Sequence, residues 1–303
     1  MTQFNDTELT AAVIDSFEKT ADPRLKFLLQ ELVTSLHAYV RKTDLTFDEW
    51  GVAIDFLTRT GQKCTPTRQE FILLSDVLGV SMLVDAVNHR ERDGATETTV
   101  LGPFYVGEHQ PMPNGADISA GLDGERMFVQ SRVTDLDGKP LAGVPVDVWH
   151  ADDHGFYDSQ KPTYETDGPS SRARFITDDD GRLFFRTILP CSYPIPTDGP
   201  VGQLILGVNR HPMRPAHVHF LVNAPGHEPL VTHVFIGGDK YLDSDVVFGV
   251  KDELVATIEK RTDAQMPDGK PADGTWHLMT YDFRMKPGKG NAPKPMMAEK
   301  IDA

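Results

Sequence analysis

The hydrophobic period of this chain changes near Asp93-Gly94, from the rhythm of helices to that of strands, and few folds accommodate both halves. Up to that point apolar residues recur at i, i+3 and i+4. From Pro23 onward, Leu25, Leu28, Leu29, Leu32, Val33, Leu36 and Val40 share one helix face. Asp22 before Pro23 reads as an N-cap with proline in the first helical position. Thr46-Phe47-Asp48-Glu49 reads as a capping box, followed by Phe47, Trp50, Ile54 and Leu57 on one face. Thr67-Arg68-Gln69-Glu70 repeats the signal before Phe71, Leu74, Val77 and Leu78, and another apolar piece runs from Val80 to Val87. Such stripes predict helical core or a subunit interface.

Beyond Asp93 the chain first becomes rich in turn formers, at Gly102-Pro103, Pro111-Met112-Pro113 and Asn114-Gly115, as in a linker wrapping onto a second domain. The period then becomes two. Met127, Val129, Ser131 and Val133 alternate with Phe128, Gln130 and Arg132, and Val144, Val146 and Val148 alternate with Pro145, Asp147 and Trp149. Further strands are predicted at Arg174–Thr177, Arg182–Thr187, Gln203–Val208, His217–Val222, Leu230–Ile236 and Trp276–Phe283, and a short helix at Lys251–Lys260. Asp178-Asp179-Asp180-Gly181 lacks the later glutamate of a calcium loop and reads as a hairpin turn. The tail from Lys286 to Ala303 promises little structure of its own. The sum is an α+β chain: a helical region over 1–98, a linker to about 122, and a β-sandwich over 123–303.

Charge and composition narrow the partners. A net charge of −15 argues against nucleic acid and against an anionic membrane surface. There is no apolar run long enough to span a bilayer and no secretory signal near Met1, so a cytoplasmic protein is expected. Cys64 and Cys191 then read as free thiols. Histidine, with 11 copies, is the metal-capable residue in supply.

Arg214-Pro215-Ala216-His217-Val218-His219 concentrates that supply on one strand. His217 and His219 share a strand face, with Cα atoms about 6.5–7 Å apart, so both imidazoles can converge on one ion. Zinc would take a third histidine, a cysteine or a carboxylate, and non-haem Fe(II) one carboxylate. The nearest downstream acid, Glu228, fits neither spacing. Tyr157 and Tyr193, in Gly- and Pro-rich loops, are the other candidates. A zinc or cupin-like enzyme and a metal-free β-sandwich binding module remain open on these residues alone.

The assembled motifs resemble the intradiol ring-cleavage dioxygenases, the catechol 1,2-dioxygenase family. They are Thr99-Val100-Leu101-Gly102-Pro103-Phe104-Tyr105, the Trp149–Tyr157 segment, Tyr193-Pro194-Ile195-Pro196 with Asp198-Gly199-Pro200, and Arg214–His219. The resemblance implies a mixed-topology sandwich binding one Fe(III) per chain through Tyr157, Tyr193, His217 and His219. Phenolate is a hard anionic donor suited to a trivalent ion, whose charge also favours its ionised form. It implies that Tyr193 leaves the metal and takes a proton as an aromatic diol binds, that Arg214 stabilises developing negative charge, and that O2 is the second substrate. Pocket walls carry over to Leu73, Asp76, Val100, Leu101, Gly102, Pro103, Phe104, Ile195, Pro196 and Val247. The helical part is implied to form a homodimer and to hold a phospholipid. His233 stands where catechol-cleaving members have glutamine. With Tyr241–Lys251 it is similar to the branch acting on hydroxyquinol, with catechol or a chlorocatechol as alternative diols.

Overall fold

The computed structural model describes residues 5–65, 68–107, 109, 111–119, 121–161, 164, 168–272 and 274–295. The chain divides into two compact units, Met1–Arg59 and Thr60–Ala303. Among the described residues no helix is long and apolar enough to cross a membrane.

The first unit is helical: α1 (Asp6–Ser16), α2 (Pro23–Thr43) and most of α3 (Phe47–Lys63). The second and third helices begin where the capping signals stand. The Asp22 carboxylate accepts the backbone N–H groups of Arg24 and Leu25 at 2.8 and 3.2 Å. Thr46 and Glu49 close a reciprocal capping box, Thr46 N to Glu49 Oε2 at 2.9 Å and Glu49 N to Thr46 Oγ1 at 3.3 Å. The expected box at Thr67 lies outside the described residues.

The second unit opens with α4 (Glu70–Val77) and α5 (Val80–Asn88), separated by Gly79. Two mixed sheets follow. One is ordered β10 (Ile258–Arg261), β11 (Trp276–Thr280), β1 (Arg126–Thr134) and β12 (Phe283–Arg284), with β4 (Arg182–Ile188) also paired to β1. The other is ordered β3 (Arg172–Ile176), β2 (Pro145–His150), β7 (His217–Val222), β8 (Leu230–Ile236) and β9 (Val255–Ala256). Met127, Val129, Phe185 and Met279 from the first sheet join Val146, Val148, Val218, Phe220 and Val234 from the second in one core. A two-stranded piece, β5 (Tyr193–Pro194) with β6 (Met213–Arg214), completes the set.

Several expectations change. Gln203–Val208 is not a strand but the body of a helix, α6 (Pro200–Gly207). Pro200 at its first position preorganises the helical turn, and Val201 and Ile205, one turn apart, are buried with Pro200 and Gly202. Lys251–Lys260 is not a helix. A 3₁₀ turn at Asp252–Leu254 leads into β9 and β10, where β-branched Val255 and Ile258 suit the sheet edges they occupy. The last predicted strand divides into β11 and β12, both pairing with β1 in parallel. The Asp178 turn forms, with Gly181 N donating to Asp178 O, but β3 and β4 on either side pair in different sheets. The tail, as far as it is described, lies against the sandwich: Glu228 N donates to Lys286 O at 2.9 Å, Gly288 N to Gly226 O at 3.0 Å, and Ala292 packs beside the cluster containing Tyr105 and Trp149.

Candidate metal centre

Strand alternation decides which face of β7 meets the core. Val218, Phe220 and Val222 point into the sandwich, so His217 and His219 must point out of it. They are nonetheless buried, because loops cover that face. Register sets their neighbours: Trp149 of β2 and His233 of β8 both lie opposite His219. The His219 ring stacks on Trp149 with centroids 4.7 Å apart. Tyr157 follows β2 in a loop, and Tyr193 lies opposite Arg214 in the β5–β6 pair.

The two tyrosines and two histidines converge. The Tyr157 hydroxyl lies 2.9 Å from His219 Nε2, 3.4 Å from His217 Nε2 and 3.2 Å from the Tyr193 hydroxyl, and the two Nε2 atoms are 3.2 Å apart. Donors held about 2.0–2.2 Å from one ion sit roughly 3 Å from each other, so this set fits a metal. His217 Nδ1 is 2.7 Å from the Pro215 carbonyl. A carbonyl only accepts, so Nδ1 carries the proton and Nε2 presents its lone pair to the centre. Among the described residues His219 Nδ1 is buried without a partner, so on that side the ring is held by stacking on Trp149.

His233 also lies within ligand reach, its ring atom within 4.8 Å of those of His217 and His219. It makes a poor ligand. Arg214 NH2 is 3.4 Å from its Nδ1, and a guanidinium only donates, so Nδ1 accepts and Nε2 keeps its proton.

Burial pushes the Tyr157 phenol well above its usual range, and adjacent Tyr193 adds to the push. Its ionisation therefore needs a cation, as a metal would supply. Burial also pushes His217 down to about 3 and His219 well below its normal value, keeping both imidazoles neutral. Burial alone would raise the Asp245 carboxyl, but the adjacent Arg214 guanidinium holds it below the carboxylate norm.

A cavity of about 600 Å³ reaches this centre. Tyr193 and Arg214 line it, together with Leu73, Asp76, Val100, Gly102, Pro103, Phe104, Ile195, Pro196 and Val247. Leu101 does not. It lines a neighbouring cavity that shares Asp76, Val100 and Gly102. Phe104 stacks on the Tyr157 ring at 4.3 Å.

Some residues of the site escaped sequence reasoning. Asp158 and Arg172 form a buried ion pair that fixes the Tyr157 loop, Nη2 to Oδ1 at 2.6 Å, and the Gln160 side chain accepts Tyr157 N at 2.8 Å. Asp245 pairs with Arg214 through both carboxylate oxygens. An acid beside the apolar Val246-Val247 was the only available signal for that partner.

Comparison with known proteins adds family models and relatives. Residues 22–96 match the model "Catechol dioxygenase N terminus" and 100–287 the model "Dioxygenase". Hydroxyquinol 1,2-dioxygenase of a Rhizobium strain is 49% identical over 281 residues, covering 92% of this chain and 95% of that one. Hydroxyquinol 1,2-dioxygenase of Nocardioides simplex is 46% identical over 286 residues, covering 94% and 97%. The crystal structure of hydroxyquinol 1,2-dioxygenase from Pseudomonas putida superposes with a TM-score of 0.85 at 44% identity, covering 93% of this chain and 99% of that one.

Proposed function

This chain belongs to the intradiol ring-cleavage dioxygenases of the catechol dioxygenase family, and from that premise we propose that it cleaves hydroxyquinol (1,2,4-trihydroxybenzene) with O2. Cleavage falls between the two adjacent hydroxyl-bearing carbons. Both oxygen atoms enter the product, 3-hydroxy-cis,cis-muconate, the enol form of maleylacetate. The family is non-haem iron dependent, and Tyr157, Tyr193, His217 and His219 are the residues that would hold one Fe(III) per chain. The observation carrying this reading is the convergence of two phenol and two imidazole donors at the cavity, with the Tyr157 hydroxyl 2.9–3.4 Å from each of the other three.

When bound, ferric iron would act as a Lewis acid toward the diol oxygens and keep the ring electron-rich toward dioxygen. The protein's own groups do the rest. Tyr193, on the cavity wall, would be the phenolate placed to take a proton from the diol. Arg214 faces His217 at 3.3 Å and stabilises negative charge as the ring opens. Phe104, Pro103, Ile195 and Val247 hold the ring and exclude water. Asp76 is buried, and burial raises its carboxyl above the usual range. In this reading its carboxyl hydrogen-bonds the third hydroxyl, the group that separates hydroxyquinol from catechol.

The helical residues 1–98 serve in this reading as a homodimer interface, with a phospholipid against the same apolar surface. Support comes from α2, where Leu25, Leu28, Leu32, Leu36 and Val40 are all exposed in the single chain.

Metal analysis and a visible spectrum, before and after anaerobic hydroxyquinol, test the centre. Bound iron with an absorption band that shifts on adding the diol is expected; zinc, or a band indifferent to diol, would sink the assignment. Relative kcat/KM then tests the substrate, and a preference for catechol would remove hydroxyquinol while leaving the reaction class.

A further inference from the structure

The Arg214 guanidinium divides its donors between two duties. Nε and one Nη lie 3.2 Å from Asp245 Oδ1 and Oδ2, while the other Nη lies 3.3 Å from His217 Nε2. One edge is clamped and the other is presented to the metal centre. Both partners are buried, with 7% and 2% of their side chains exposed. The same carboxylate accepts two backbone N–H groups, Val247 N at 3.3 Å and Gly249 N at 3.0 Å. It therefore also closes the loop that carries Val247 into the cavity wall. Nothing else among the hydrogen bonds of Arg214 fixes its direction as firmly, since its contact with His233 is longer, at 3.4 Å. A guanidinium pinned along one edge loses little freedom when charge develops at the other, which is what preorganised stabilisation requires.

We propose that Asp245 is a positioning residue for ring cleavage: it aims Arg214 at the reacting centre and ties that aim to the Val247 wall. The inference rests on the diol-cleaving reading above. Asp245 touches neither the metal ligands nor the cavity directly, so it acts through Arg214 on turnover. Diol capture is left to the centre and the other walls.

The test compares Asp245→Asn, Arg214→Ala and the double variant in the iron-loaded, full-length enzyme. Asp245→Asn is expected to lower kcat about tenfold or more with KM changed by less than about threefold. The visible shift on anaerobic hydroxyquinol should survive in that variant. In the Arg214→Ala background, adding Asp245→Asn should cost little further, because the guanidinium it aims is already gone and the asparagine oxygen can still accept a backbone N–H of the Val247 loop. A further loss of about tenfold in that background would assign Asp245 a general structural role and overturn the proposal. Gly249→Ala gives an independent perturbation should Asp245→Asn not fold. Its added Cβ would come within 3.1 Å of both an Arg214 Nη and Asp245 Oδ2, crowding the pair from outside, and the same fall in kcat is expected. Normal kcat in every folded variant overturns the proposal. If the wild-type enzyme neither binds nor cleaves any diol, the reading beneath the proposal fails, and the proposal with it.

Discussion

At the scale of single residues, the site depends on side chains that meet only in three dimensions, and on one place where no side chain fits. Gly155 sits at φ +85°, and a Cβ there would lie 2.5 Å from the Tyr193 Cβ. The loop bearing Tyr157 can therefore approach Tyr193 only through a glycine, which also tolerates that backbone conformation. Gly155→Ala is expected to displace Tyr193 and reduce turnover by about tenfold or more, with a changed visible band in the iron-loaded protein. An unchanged spectrum would show that the two loops can part without cost. On the proposed reading, Asp76 sets preference rather than rate. Asp76→Ala should lower kcat/KM for hydroxyquinol about tenfold and leave catechol nearly untouched, because only the former loses a hydrogen bond. Parallel losses on both diols would remove Asp76 from substrate recognition. Tyr157 and Tyr193 stood in the sequence as open candidates in Gly- and Pro-rich loops, and only family resemblance made them ligands, since a tyrosine in a loop carries no local sign of what it will face.

At the scale of elements, alternation did most of the work. It correctly assigned β1, β2, β7 and β8, and with them the face that His217 and His219 share. It failed where apolar residues come in short runs. Leu204-Ile205-Leu206 has no period of its own, and the decisive information was Pro200 at the helix start and the tertiary fit of Val201 and Ile205. That helix is also held from a distance. Glu70, fully buried at the head of α4, accepts Arg68 Nε at 2.9 Å and, across the fold, Val201 N at 3.3 Å in the first turn of α6. Its charge suits the positive end of a helix. Glu70→Ala leaves both donors short of a partner and should cost about 1–3 kcal/mol in urea unfolding. A loss below about 0.5 kcal/mol would mean that water or Asp198 replaces it.

For the molecule as a whole, burial of ionisable groups makes stability depend on pH. His150 is enclosed between the Ala151 carbonyl and the Thr187 hydroxyl, and burial pushes it from 6.5 down to about 4. The unfolded chain binds this proton more readily than the native one. The contribution is thus complete above pH 6.5 and lost as pH falls toward about 4, a total of roughly 3 kcal/mol. Thermal midpoints should fall across that window, and less steeply for His150→Gln; identical slopes would place the acid sensitivity elsewhere. Assembly is the other whole-molecule property. Leu32→Asp with Leu36→Asp on the exposed face of α2 should convert a dimer to a monomer in light scattering, without abolishing diol turnover. A wild-type monomer would leave that apolar face without the proposed occupant. The sequence by itself determined the helical first part, the sandwich, the caps of α2 and α3 and the shared face of the histidine pair. All of these follow from spacings of a few residues, where backbone geometry repeats. Only the tertiary structure decided that Tyr157 and Tyr193 meet that pair, that Leu101 turns away, and that Asp245 holds Arg214. Those contacts join segments far apart in the chain, and no local period encodes the distance between them.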